Sequence, residues 1–206
     1  ATLQALGDKD FETYFPTQVM ATGWDIIFFW VARMIMFSYY RTGTQPFETV
    51  YLHGLVRDAK GQKISKSKGN VVNPSDMIAK YGTDAVRMAL VFSSAAGNDI
   101  PLAEDKIRGM KHFANKIWNI VRFVLMSVDA DRLSEHSNTQ PKPLTDLDRQ
   151  ILMELNKTIT SVTDNLDKFM LHEAAQQVYH FTWHALADVY IEGSKTQLTD
   201  TLLKKN

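Results

Sequence analysis

The chain has 206 residues, 45 % hydrophobic and 22 % charged, the balance of a soluble globular protein of one or two domains. Its 23 Lys and Arg offset 23 Asp and Glu, so no global field advertises a nucleic-acid or membrane partner, and any electrostatic signal must be local. No cysteine is present, which excludes disulfides and thiolate metal sites and agrees with a reducing compartment.

The first residues, ATLQALGDKDFETYF, lack the basic flank and apolar run of a signal peptide. Residues 17–22, TQVMAT, read as a short strand ending at Gly23. A nearly all-apolar helix is expected from Asp25 to Tyr40. Its centre, IIFFWVARMIMF (26–37), carries Arg33 and is too short to span a bilayer, so it reads as a buried helix of a soluble, cytoplasmic protein. Residues 49–56, TVYLHGLV, form a second strand. Strand, helix and strand make a βαβ unit with parallel strands and a right-handed crossover. A turn through Gly61 follows, then the segment AKGQKISKSKGNVVNP (59–74), then a helix start at Asn73-Pro74-Ser75-Asp76 with a side-chain cap, proline at the first helical position and an early acid. Residues 84–92 read as a further helix.

From Glu104 onward the pattern is helical. Ile107, Met110, Phe113, Ile117, Val121, Val124 and Val128 recur at three and four residues, one face of a long helix. A polar stretch, DADRLSEHSNTQPKPL (129–144), holds Pro141 and Pro143 and reads as a linker. Two more helices are expected, at 145–166 with Leu147, Ile151, Leu155, Ile159 and Val162 inward, and at 171–192 with Ala175, Val178, Trp183, Leu186 and Tyr190 on or near the inner face. The fold class is therefore an α/β unit followed by an α-helical bundle, predominantly helical overall.

Four lysines, Lys60, Lys63, Lys66 and Lys68, are interspersed with the small residues Gly61, Ser65, Ser67 and Gly69. A solvated loop is the ordinary reading of such a run. Its place beyond the carboxyl end of a strand, where open α/β sheets bind ligands, favours a polyphosphate. The spacing is not that of a Walker loop, and no G-x-G-x-x-G is present. Gly23-Trp24-Asp25 at a strand end is either a turn with a helix cap or a carboxylate placed for ribose hydroxyls. His53, on the strand entering the lysine loop, suits a core or a site-lining position equally. His180 and His184 have the i, i+4 spacing of a zinc pair but lack a third ligand, and they read as packing or surface histidines with no metal. Over residues 105–122, Lys106, Arg108, Lys111, Lys116 and Arg122 stand against Asp105 alone, a solvated face or one suited to an RNA backbone.

Lys63 to Ser67, KISKS, differs by one residue from the KMSKS signature of class I aminoacyl-tRNA synthetases. TGWDIIFFWVARMIM (22–36), PFETVYLHGLVRDAKGQKISKSKGNVVNPSDMI (46–78), YGTDAVRMAL (81–90), FANKIWNIVRFVLM (113–126) and FTWHALADVYIE (181–192) resemble the valyl-tRNA synthetases, with DIIFFWVARM setting them apart from the isoleucyl and leucyl relatives. The resemblance implies the second half of a Rossmann-like nucleotide-binding domain at 1–103, a stem-contact helix and linker at 104–143, and the start of an anticodon-binding helical domain at 144–206. It implies a ligase that joins valine to tRNA through valyl-adenylate, with ATP as substrate, together with Mg2+. Lys63 and Lys66 would neutralise the leaving pyrophosphate, with Ser65 and Ser67 of the same signature at the ATP. Gly23 and Asp25 would contact ribose and adenylate, the strand at His53, Gly54, Leu55 and Val56 would flank adenine, and Trp30 would wall the amino-acid pocket, where its simpler reading is a core tryptophan. The family's His-Ile-Gly-His signature and editing domain have no counterpart here. A fragment inactive alone is therefore expected, with self-association through an uncovered sheet edge. The rival expectation is a non-catalytic helical module binding RNA or protein.

Overall fold

A computed structural model describes residues 9–64, 69–70, 73–92, 95, 97–127 and 142–203. A short helix, α1 (Lys9–Tyr14), leads into β1 (Thr17–Gly23). The chain then winds through a 3-10 turn (Trp24–Ile26) and a π-helical turn (Ile27–Val31) into α2 (Ala32–Thr42). Gly43 ends α2 in the left-handed conformation, φ 70°, its N–H donating to the Tyr39 carbonyl. β2 (Phe47–His53) returns parallel to β1, pairing Thr17 with Phe47 and Gly23 with His53. The expected βαβ unit is thus present. The second strand stops at His53 rather than at residue 56: after Gly54 and Leu55 the chain changes partner, and β3 (Val56–Arg57) pairs in parallel with β4 (Ile100–Pro101).

α3 (Pro74–Tyr81) begins as expected, with the Asn73 side chain accepting from the Ser75 N–H at 3.1 Å. α4 (Thr83–Phe92) and α5 (Glu104–Ser127) complete the core of the chain. Tyr81, Ala85, Val86, Ala89 and Ile107 are buried together, with Met77, Leu90, Leu102 and Met110 packed around them. α6 (Asp146–Asp167) opens on a capping box, Thr145 and Asp148 exchanging hydrogen bonds. α7 (Leu171–His180), a π-helical stretch (Phe181–Ile191) and α8 (Glu192–Leu203) run on without a break. The bundle meets the core through Phe92 and Phe113, whose rings lie 5.2 and 4.8 Å from that of Tyr179. Of the expected linker 129–144, all but residues 142–144 lies outside the described residues.

Four burial expectations are corrected, the first on α6, where Leu147, Ile151, Leu155 and Val162 are half-buried but Ile159 is exposed. The apolar segment 26–37 is not a buried helix: Val31 and Ser38 are covered, whereas Phe28, Phe29, Trp30, Met36 and Phe37 are exposed. A helix apolar on all sides needs cover on all sides, and here the β1–β2 pair supplies one. On α5 the inner face holds for Ile107, Met110 and Phe113, whereas Ile117, Val121 and Val124 are exposed. On the last helix Ala175, Trp183, Leu186 and Tyr190 are half-buried as expected, Val178 is exposed, and the fully buried positions are Ala174, Ala187 and Ile191. Over Phe181–Ile191 the helix winds with i→i+5 bonds.

Candidate functional site

Gly23 and His53 end the two parallel strands side by side. A Cβ at Gly23 would stand 2.8 Å from Asp25 Oδ1, 3.5 Å from Leu55 Cδ2 and 3.6 Å from His53 Cε1. The structure therefore brings Gly23, Asp25, His53 and Leu55 together around one point at the carboxyl ends of the strands, and only glycine leaves that point open. Asp25 is exposed at the head of the 3-10 turn, and His53 Nδ1 lies 2.9 Å from the Gly54 carbonyl. Gly54 answers a different demand: a Cβ there would fall 1.6 Å from the Asn98 carbonyl oxygen. Its missing side chain makes room for the chain's own backbone.

Segment 97–102 is laced along this edge. Gly97 N–H donates to the Leu52 carbonyl at 3.0 Å, Ile100 N–H to Leu55 at 2.8 Å and Leu102 N–H to Arg57 at 3.0 Å. In the middle, Asp99 accepts from the Leu55 N–H at 2.9 Å, from the Arg57 guanidinium and from the Trp24 indole at 3.5 Å. The Leu55 amide and the Arg57 guanidinium hold its carboxyl below the ordinary 3.8. Asp99 was not among the residues singled out from sequence: Gly-Asn-Asp reads as a turn, and its partners lie more than 40 positions away.

The foot of the lysine loop is closed by a second carboxylate. Asp58 accepts from the Asn70 amide at 2.9 Å and from the Gln62 and Lys60 backbone N–H groups at 2.8 and 3.0 Å, and these bonds lower its pKa, Asn70 first. Asn70 also donates to the Lys63 carbonyl at 3.2 Å, and Lys63 bridges antiparallel to Arg57. Lys63 is thus placed just beyond β3 with an exposed side chain. Ser65, Lys66 and Ser67 lie outside the described residues. Val56 sits in β3, half-buried.

Trp30 is not among these groups. It lines an open apolar groove of about 750 Å³ with Phe11, Phe15, Met34, Phe37 and Phe47. His180 and His184 stack at 5.5 Å, and His184 Nδ1 lies 3.4 Å from Asp188. On α5, three of the five cations are engaged within the chain. Arg108 pairs with Asp105, Lys111 donates to the Lys80 carbonyl, and Lys116 pairs with Asp188 at 2.7 Å while lying 4.0 Å from the Trp183 ring centroid.

Residues 2–103 match the family of tRNA synthetases class I (I, L, M and V), and residues 148–205 match the anticodon-binding domain of tRNA ligase. The chain belongs to the class I tRNA synthetases. Within that class it is similar to the valine–tRNA ligases. It is 47 % identical to that of Clostridium acetobutylicum over 90 % of this chain and 21 % of that protein. It is also 47 % identical to that of Pseudothermotoga lettingae over 92 % of this chain and 22 % of that protein. The chain therefore spans about a fifth of the length of the relatives it matches. The fold agrees with two solved structures. The Agrobacterium radiobacter K84 LeuRS–tRNA–LeuAMS ternary complex superposes with TM-score 0.71 at 24 % identity, over 87 % of this chain and 23 % of that one. Mycobacterium tuberculosis methionyl-tRNA synthetase with methionyl-adenylate gives 0.65 at 24 % identity, over 83 % of this chain and 33 % of that one.

Proposed function

We propose that this chain is the adenylate-binding and anticodon-domain-entry portion of a cytoplasmic valine–tRNA ligase, dividing at 1–103, 104–143 and 144–206. The observation that supports it most is the convergence of Gly23, Asp25, His53 and Leu55 at the ends of two parallel strands, directly before the lysine loop. Asp25 and Gly23 would contact the ribose and adenylate, the absent Cβ of Gly23 leaving the Asp25 carboxylate its place beside the strand ends. The backbone of His53, Gly54, Leu55 and Val56 would run along adenine, and Trp30 would face the amino-acid side. The valine carboxylate attacks the α-phosphate of ATP, a P–O bond forms, and the bond to the β-phosphate bridging oxygen breaks. Negative charge then grows on pyrophosphate, where Lys63 and Lys66, beside Ser65 and Ser67, would meet it. Among the described residues no group of three His, Asp or Glu side chains converges to cage a metal. Mg2+ would instead arrive on the nucleotide phosphates, as that ion commonly does.

No helix among the described residues is long and apolar enough to cross a membrane. The uncovered face of 26–37 and the edge of β1 left unpaired among the described residues support self-association of the isolated chain, read by light scattering. The alternative, a non-catalytic RNA- or protein-binding module, draws on the basic helix α5, whose internally engaged cations weaken it.

The test is single-turnover adenylation by a full-length polypeptide carrying this segment; the isolated chain is expected to be inactive in ATP–pyrophosphate exchange. A lysine that meets charge mainly in the transition state raises turnover rather than substrate binding. Lys66→Ala is expected to cost roughly 2–4 kcal/mol in the adenylation barrier, with the valine Kd little changed and Lys68→Ala costing much less. Equal, small losses for the two variants would return the loop to a solvated surface.

A further inference from the structure

We propose that Asp99 is a positioning residue for the nucleotide-facing edge: one carboxylate that sets the Trp24–Asp25 turn, the Leu55 backbone and the foot of the lysine loop in fixed relation. The proposal rests on the adenylation reading given above. Three donors from three separate elements meet this side chain: the Trp24 indole from the 3-10 turn, the Leu55 N–H from the junction of β2 and β3, and the Arg57 guanidinium from β3. Arg57 carries the connection onward. Its Nη1 donates to the Gly61 carbonyl at 3.3 Å, and its backbone bridges Lys63. The line from the Trp24–Asp25 turn to the first signature lysine therefore passes through one carboxylate.

The charge is what lets this side chain serve all three donors. An ionised carboxylate offers two acceptor oxygens with about four lone-pair sites and no hydrogen of its own. An asparagine of the same shape would offer one oxygen and turn an NH2 group toward at least one donor. The packing of segment 97–102 would remain, since its backbone bonds to Leu52, Leu55 and Arg57 do not involve the side chain. Asp99→Asn should therefore loosen the edge without unfolding it.

Two measurements decide. In the 206-residue chain, 15N spectra of Asp99→Asn should show the Trp24 indole, the Leu55 amide and the Arg57 Nε signal moving together, with Leu55 exchange protection falling roughly tenfold. Asp105→Asn, a change at an exposed ion pair on α5, should leave all three in place. In a full-length polypeptide carrying this segment, Asp99→Asn should raise the KM for ATP about tenfold with the KM for valine unchanged, and Asp99→Glu should recover part of the loss. A fall in Tm with the KM for ATP unchanged would make Asp99 merely structural and overturn the proposal. If the full-length wild type shows no valine-dependent exchange, the functional reading fails by itself. The spectra then still decide the clamp, and independent behaviour of Leu55 and Trp24 overturns it.

Discussion

Gly54→Ala tests the crossing that shapes the candidate site. The added methyl carbon would lie 1.6 Å from the Asn98 carbonyl oxygen, 2.3 Å from its carbon and 2.8 Å from the Asp99 nitrogen. Non-bonded carbon contacts settle at about 3.5–4.0 Å, so segment 98–99 has to retreat by roughly 2 Å. The hydrogen bonds that lace it down are 2.8–3.0 Å long, and a bond stretched to about 3.6 Å is no longer one. Overpacking a tight site costs about 1–3 kcal/mol, and each backbone bond lost costs about 0.5–1.5 kcal/mol. Part of the strain is relieved by breaking bonds, so the two terms overlap and the expected loss is roughly 2–5 kcal/mol. The assay is urea unfolding of the 206-residue chain, with amide exchange at Gly97, Ile100 and Leu102 as the local readout. Gly61→Ala is the comparison: nothing lies within 4 Å of its Cβ position, and its φ of +73° alone opposes a side chain, at about 1–2 kcal/mol. A Gly54→Ala loss below about 0.5 kcal/mol, the range of an ordinary surface change, would show that segment 97–100 does not cross there.

Two further outcomes follow from the packing and the loop foot. Ile107 is the large side chain below 2 % exposure among the described residues; Ile107→Ala should cost roughly 2–5 kcal/mol in denaturant unfolding, whereas Phe28→Ala, 83 % exposed, should stay within about 0.5 kcal/mol. Equal losses would place the core elsewhere. The folded-state pKa of Asp58 is depressed below 3.8 by the Asn70 amide and the Gln62 and Lys60 N–H groups. Its contribution is therefore present above that value and lost as pH falls through the lower folded value. An acid titration below about pH 4 should release the Gln62 and Lys60 amides together, and Asn70→Ala should move that release upward in pH. Release of both near neutral pH would count against the Asp58 clip.

Local order was legible in the residues themselves. β-forming residues mark both strands, Asn73-Pro74 marks the start of α3, and the spacing from Ile107 marks α5, because each is set by neighbours within a turn or a strand pair. The site was half legible. Gly23, Asp25 and His53 stand at strand ends, where short-range pattern and the resemblance both point, and the fold does bring them together. Asp99 was invisible because a carboxylate acquires its role only from donors brought in from positions 24, 55 and 57.

The sequence by itself determined β1, β2, their parallel βαβ arrangement and the helices from residue 74 onward, since hydrophobic period, caps and turn residues act over a few bonds; α1 and β4 were not marked by it. Tertiary structure alone decided that the second strand changes partner at Gly54. It also decided that the apolar segment 26–37 leaves Phe28, Phe29, Trp30, Met36 and Phe37 exposed. Burial and strand partnership depend on what lies across from a residue in space. Apolar character states only a preference to be covered, and here one two-stranded sheet is what stands opposite the helix.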